Sequence, residues 1–97
     1  NKHYTAGKNN KGNQSIEYIF DNAVNIYRFY FQWYSNNDYA KKIKINDRQT
    51  LEFENSSKGL ETEIVLPESI KEVKKIEFIF SDFSGQNRLL LKQLGAY

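Results

Sequence analysis

Apolar residues recur at every second position along most of this chain, which is the period of a pleated strand with one covered face. From Ser15 to Asp21, Ile16, Tyr18 and Phe20 alternate with Glu17, Ile19 and Asp21. Asn25 to Tyr34 is the strongest run, with Tyr27, Phe29, Phe31 and Trp33 on one side and Ile26, Arg28, Tyr30, Gln32 and Tyr34 on the other. Neither side of that run is purely polar. This suits a central strand whose second face is partly covered or is a ligand platform.

The alternation predicts further strands at Lys41 to Asn46, Thr50 to Glu54, Leu60 to Leu66, Lys75 to Phe80 and Arg88 to Leu94. Their inward positions are Ile43 and Ile45; Leu51 and Phe53; Leu60, Thr62, Ile64 and Leu66; and Ile76, Phe78 and Phe80. Asn46 to Gln49 has turn composition, Asn55 to Gly59 and Ser81 to Asn87 read as loops, and Pro67 is expected to end its strand. Glu68 to Lys74 is expected to form one short helical turn. Short strands punctuated by turns at this spacing predict an all-β protein, an antiparallel two-sheet β-sandwich of jelly-roll type.

Composition narrows the picture. Ninety-seven residues suffice for one domain, expected over residues 15–97, with residues 1–14 as a basic polar tail or first strand. Aromatic residues make up 15 % of the chain and cysteine is absent, so neither disulfides nor thiolate metal sites contribute. No run of 18 apolar residues offers a membrane-spanning helix, and no membrane insertion is expected. The absence of an apolar leader, with Asn at position 1, points to a module of a larger secreted or surface protein. Abundant Asn, Lys and Ile with little Ala and Pro fits an AT-rich bacterial source.

The net charge is +2, and without the tail lysines Lys2, Lys8 and Lys11 the remaining body carries −1. A near-neutral body argues against a nucleic-acid partner. The basic and aromatic interleaving of Tyr39, Lys41, Lys42, Lys44 and Arg48 is offset by Glu52, Glu54, Glu61 and Glu63.

Catalytic chemistry finds little support. The sole histidine, His3, lies in the tail, so triad and thiol mechanisms lack their parts. The glutamates alternate outward on strands, where water keeps them ordinary, whereas glycoside hydrolysis needs two carboxylates opposed across a cleft. No metal is expected. Asp38, Asp47 and Asp82 are loop carboxylates open to structural Ca²⁺, but none lies in a ligand-dense pattern.

Binding chemistry is better represented. Trp33 to Tyr39 holds three aromatics, two amides and a carboxylate at a strand end. A sugar stacks its apolar C–H face on an aromatic ring while amides and carboxylates bond its hydroxyls. Tyr34 and Tyr39 are the candidate platforms, with Asn36, Asn37 and Asp38 as hydrogen-bonding partners. Ordinary turn chemistry explains the same polar residues, and Trp33 shares a side with Tyr27, Phe29 and Phe31, which places it in the core. A second candidate is the outward line Arg28, Tyr30 and Gln32, which suits an extended glycan or simply forms the wet side of a sheet. Phe83 is expected to plug the end of the fold.

The order of short segments resembles the galactose-binding-like β-sandwich, in particular carbohydrate-binding modules of families 6 and 35. The segments are Gly12 to Phe20, Trp33 to Asn36, Ile43 to Asp47, Ile64 to Pro67 and Gly85 to Leu91. The resemblance implies sugar recognition by an aromatic and an amide at the loop end, carried over to Tyr34 and Asn87. The acidic N-terminal segment that helps such modules hold calcium has no counterpart in Asn1 to Gln14. The expected function is therefore a non-catalytic carbohydrate-binding module that meets polysaccharide or glycan as a monomer. The alternative is a protein-interaction, adhesin or toxin receptor-binding sandwich, since fold alone does not select function.

Overall fold

The computed structural model describes residues 2–8, 14–33, 39–55, 59–83 and 91–97. Six strands follow one another: β1 (Lys2–Lys8), β2 (Gln14–Trp33), β3 (Ala40–Asn46), β4 (Thr50–Glu54), β5 (Glu61–Phe83) and β6 (Leu91–Ala96). All pairings are antiparallel. The hydrogen-bonded order is β1-β2-β5-β3-β4, with β6 also on β2. The protein is thus all-β, and its described strands belong to one sheet.

Two strands are unusually long, at 20 residues for β2 and 23 for β5. Each joins two segments that the sequence pattern separates, which reduces the seven expected strands to five, and β1 in the expected tail makes six. The join is made by bulges. The β2–β5 register shifts between Ile19 and Val24, between Val24 and Ile26, and between Ile26 and Arg28. Extra residues on one strand bend it and increase its twist, so the pair turns a corner without breaking.

Two sequence expectations are corrected here. Pro67 does not end a strand; it lies within β5, between the partners of Arg28 and Ile26, where the ladder is interrupted and its missing N–H costs nothing. Residues 68–74 are not a helical turn but the bent middle of β5. Ile70, Val73 and Ile76 are buried at three-residue spacing, which resembles a helix because bulged residues shift the phase of the strand. Glu72 takes the left-handed conformation at φ 50°, and its N–H donates to Asn25 Oδ1 at 3.0 Å across the bend. Arg48 reaches the Lys71 carbonyl there, and Lys74 Nζ donates to the Asp21 carbonyl at 2.9 Å.

The bend divides the sheet into two arms. In the near arm, residues 14–20 of β2 pair with β1 and with the end of β5, which also carries β3 and then β4. In the far arm, residues 28–32 of β2 lie between residues 61–65 of β5 and strand β6.

The arms meet through aromatic rings. Phe31 of the far arm makes edge contacts with Phe78 and Phe80 of the near arm at 5.8 Å each, and Trp33 meets Phe80 at 6.0 Å. Phe29 meets Phe78 at 5.4 Å, also edge to face. Such pairs add about 0.5–1.5 kcal/mol each beyond their area burial. Ile16, Tyr18, Ile26, Ile43, Ile45, Val73 and Ile76 fill out the same buried cluster. Trp33 is 1 % exposed, and its indole N–H donates to Thr62 Oγ1 at 2.9 Å, so its polar atom is satisfied inside. Phe83 packs on the cluster from the end of β5.

Candidate functional site

Of the residues expected to form a loop-end sugar site, Tyr39 alone is among those described. Tyr34, Asn36, Asn37, Asp38 and Asn87 lie outside the described residues. Tyr39 is a core residue, only 5 % exposed and placed just before β3 within the main cluster. At this exposure it offers little surface to a sugar. Its edge borders a depression of about 320 Å³ with Lys41, Lys42, Glu54, Asn55 and Asp82. Asn55 is buried there, donating to the Ala40 carbonyl at 3.2 Å, which fixes the end of β4 against the start of β3.

The second expected site, the outward line Arg28, Tyr30 and Gln32, is assembled more fully than the sequence indicates. These side chains alternate with Phe29, Phe31 and Trp33, so burying one set turns the other outward. Cross-strand pairing adds neighbours on both sides. Val65, Glu63 and Glu61 of β5 lie opposite Arg28, Tyr30 and Gln32, and Gly95 and Gln93 of β6 lie opposite Tyr30 and Gln32.

Tyr97, just past β6, completes the face. The bulge at Ile26–Arg28 turns the Tyr27 and Arg28 N–H groups onto the single carbonyl of Tyr97, at 2.5 and 2.9 Å. The Tyr97 N–H returns to the Arg28 carbonyl at 2.9 Å. With its backbone held, the Tyr97 ring lies over Gly95: a Cβ at that glycine would come within 2.5 Å of ring carbon Cε2. The absence of a side chain at position 95 therefore lets the ring rest along the strand beside Tyr30.

Arg28 ties this arrangement together. Its guanidinium carbon sits 4.4 Å from the Tyr97 ring centroid, and its Nη1 bonds Glu63 Oε2 at 2.8 Å. Cation–π geometry of this kind contributes roughly 0.5–1 kcal/mol at an exposed site. Desolvation raises the Tyr30 pKa, and a hydrogen bond from its phenol to Glu61 and the Glu61 charge act in the same direction. The Tyr97 ring remains 47 % exposed, with Tyr27 and Val65 at 56 % and 67 % nearby.

The face can offer an open aromatic surface bordered by two amides (Gln32, Gln93), two carboxylates and one guanidinium. It is a platform and not a cleft. A depression of about 470 Å³ at the bend is lined instead by the charged residues Glu17, Asp47, Arg48, Glu72, Lys74 and Lys75, with no aromatic ring. Asp47 faces its neighbour Arg48 at 3.5 Å. Among the described residues no group of three His, Cys, Asp or Glu side chains is placed to hold a metal ion.

Sequence reasoning identified three members of this platform and missed Tyr97, Gly95, Gln93, Glu61 and Glu63 as members. The available signal was the segment Gln93-Leu94-Gly95-Ala96-Tyr97, in which an amide, a glycine and a tyrosine occupy one side of a strand. Compared with family models, curated proteins and solved structures, the chain matches none.

Proposed function

We propose that this chain is a non-catalytic carbohydrate-binding module that recognises a glycan on the outer face of its far arm, in a two-layered sandwich of galactose-binding-like type. The observation that carries the reading is the Tyr97 ring laid over Gly95 next to Tyr30, with Arg28, Gln32, Gln93, Glu61 and Glu63 around it. A sugar's C–H face packs on such rings while its equatorial hydroxyls meet amides and carboxylates at the rim. The sandwich reading is supported by the edge-to-face aromatic contacts between the arms. An open sheet face suits an internal stretch of a polysaccharide better than a chain end, because nothing among the described residues walls it off. Secretion or surface display accords with this role.

Affinity electrophoresis against a polysaccharide panel tests the reading. Retardation by at least one neutral glycan, abolished in the Tyr30→Ala/Tyr97→Ala double variant with unchanged circular dichroism, is the expected result. Retardation that survives in the double variant would remove the platform from recognition. A glycan-silent protein that captures a protein partner through the Tyr27, Val65 and Tyr97 patch would favour the interaction-module alternative.

A further inference from the structure

Resting on the glycan reading, the charge arrangement of the platform assigns a class of sugar. We infer that the platform selects neutral or amino-bearing glycans and disfavours uronates, because its cation is already paired with one of its carboxylates and the second carboxylate stays beside the rings.

Among the described residues the face carries Arg28 as its cation and Glu61 and Glu63 as its anions, a net charge of −1. Arg28 donates from Nη1 to Glu63 at 2.8 Å and stacks on Tyr97, so its charge is already shared with a carboxylate of the face. A sugar carboxylate arriving over Tyr97 would compete with Glu63 for that cation and meet the repulsion of both glutamates. Lys92 is exposed at the β2–β6 register shift between Leu91 and Gln93, beyond the Gln32–Gln93 pair that ends the row. Glu61, which accepts a hydrogen bond from the Tyr30 phenol, lies at the other end of the row. Two carboxylates within about one cross-strand spacing of the ligand repel an anion and favour an ammonium group.

The hydroxyls of a neutral sugar suffer no such penalty. Glu61 and Glu63 each keep lone pairs free to accept from them, and Gln32 and Gln93 both donate and accept. An amino sugar gains a charge-assisted bond to the same carboxylates. The selection thus follows from the Arg28 engagement and not from the aromatic rings, which stack on any pyranose.

The test is affinity electrophoresis at low ionic strength in gels containing xylan, galactan, mannan or mixed-linkage β-glucan (neutral), chitosan (cationic), or polygalacturonate or alginate (anionic). The expected result is retardation by at least one neutral gel or by chitosan, with every uronate gel at least about fivefold weaker and the gap narrowing in added salt. Glu63→Gln frees Arg28 and is expected to raise uronate affinity about threefold or more. Glu61→Gln leaves the Arg28–Glu63 bond intact and gives a smaller gain. Uronate retardation equal to the best neutral gel in the wild-type protein overturns the selection while leaving the glycan reading standing. So does a Glu63→Gln variant, folded by circular dichroism, with no gain on uronates. Retardation in no gel overturns both.

Discussion

The two outward faces of the sheet solve the same problem in different ways. On the near arm, polar side chains pair across strands: Lys44 with Glu52 at 3.5 Å, Lys75 with Glu17 at 3.9 Å, and Asn46 Nδ2 with Glu77 Oε1 at 3.1 Å. Each of these groups meets its complement within the face, around the half-buried Ile19 and Ile79. On the far arm the corresponding positions hold Tyr30, Tyr97, Gly95 and Arg28, and the charges serve to hold a ring in place. A face of mutual ion pairs is self-satisfied, whereas a face with an exposed ring over a glycine keeps surface for a guest. Both lie on one continuous sheet, so the difference arises from side chains and not from topology.

That contrast presupposes that the arms are locked together, and the largest expected effect comes from unlocking them. Phe31 joins Trp33, Phe78 and Phe80. Phe31→Ala removes that contact and leaves a cavity, costing about 3–5 kcal/mol in urea unfolding. If the alanine variant fails to fold, Phe31→Leu is expected to lose about 1–2 kcal/mol by the same measurement. A loss below about 1 kcal/mol in the alanine variant would mean that the seam does not hold the arms together.

Next in size are two substitutions that act on the ring without touching the core. Tyr97→Ala is expected to weaken glycan binding about tenfold or more by calorimetry while changing unfolding by less than about 1 kcal/mol. Gly95→Ala places a methyl group where the Tyr97 ring now lies. It should displace the ring and weaken binding about threefold to tenfold, although it adds only one carbon. If Gly95→Ala binds normally while Tyr97→Ala does not, the ring matters but its position along the strand does not.

The extent to which these features were legible in the sequence follows the same division. Alternation placed Phe29, Phe31, Trp33, Ile43, Ile45, Ile76, Phe78 and Phe80 inward, as the structure has them. It failed at the bend. Tyr27 was assigned to the inward set but is exposed, because the bulge before Arg28 shifts the phase and Ile26 takes the inward place. Leu60 is exposed for a related reason, lying ahead of β5 where the alternation has not begun. Bulges depend on which strands pair, and period-two patterning carries no pairing information. The platform was half visible for the same reason: Arg28, Tyr30 and Gln32 share a strand, while their neighbours arrive from β5 and β6. The Asn- and Asp-rich surroundings of Tyr39 read as a loop, whereas the residue itself joins the core cluster.

A pH experiment sharpens the account of Tyr30. Its pKa is raised above the ordinary 10.0 by desolvation and then by Glu61. A raised folded-state value means that the protonated phenol is favoured by folding. The contribution is therefore fully present below the unfolded pKa and is lost as pH rises through the folded one. Spectrophotometric titration of tyrosinate should show a late-titrating component that Tyr30→Phe removes and that moves toward the ordinary range in Glu61→Gln. A titration curve unchanged by Glu61→Gln would separate Tyr30 from Glu61.

The smallest expected effect is on the near arm, and it serves as the control for the comparison. Lys44→Ala and Glu52→Ala each break one exposed pair whose partners are 3.5 Å apart. Exposed pairs of this kind are worth about 0–1 kcal/mol, and salt screens them further. Each variant should unfold within about 0.5 kcal/mol of the wild type and bind glycan unchanged. Their double-mutant cycle should give a coupling of a few tenths of a kcal/mol that shrinks in added salt. A near-arm variant that weakens glycan binding as much as Tyr97→Ala would show that the ligand crosses the bend. The ion-pair face would then be part of the recognition surface, and the division between a self-satisfied face and a receptive one would fail.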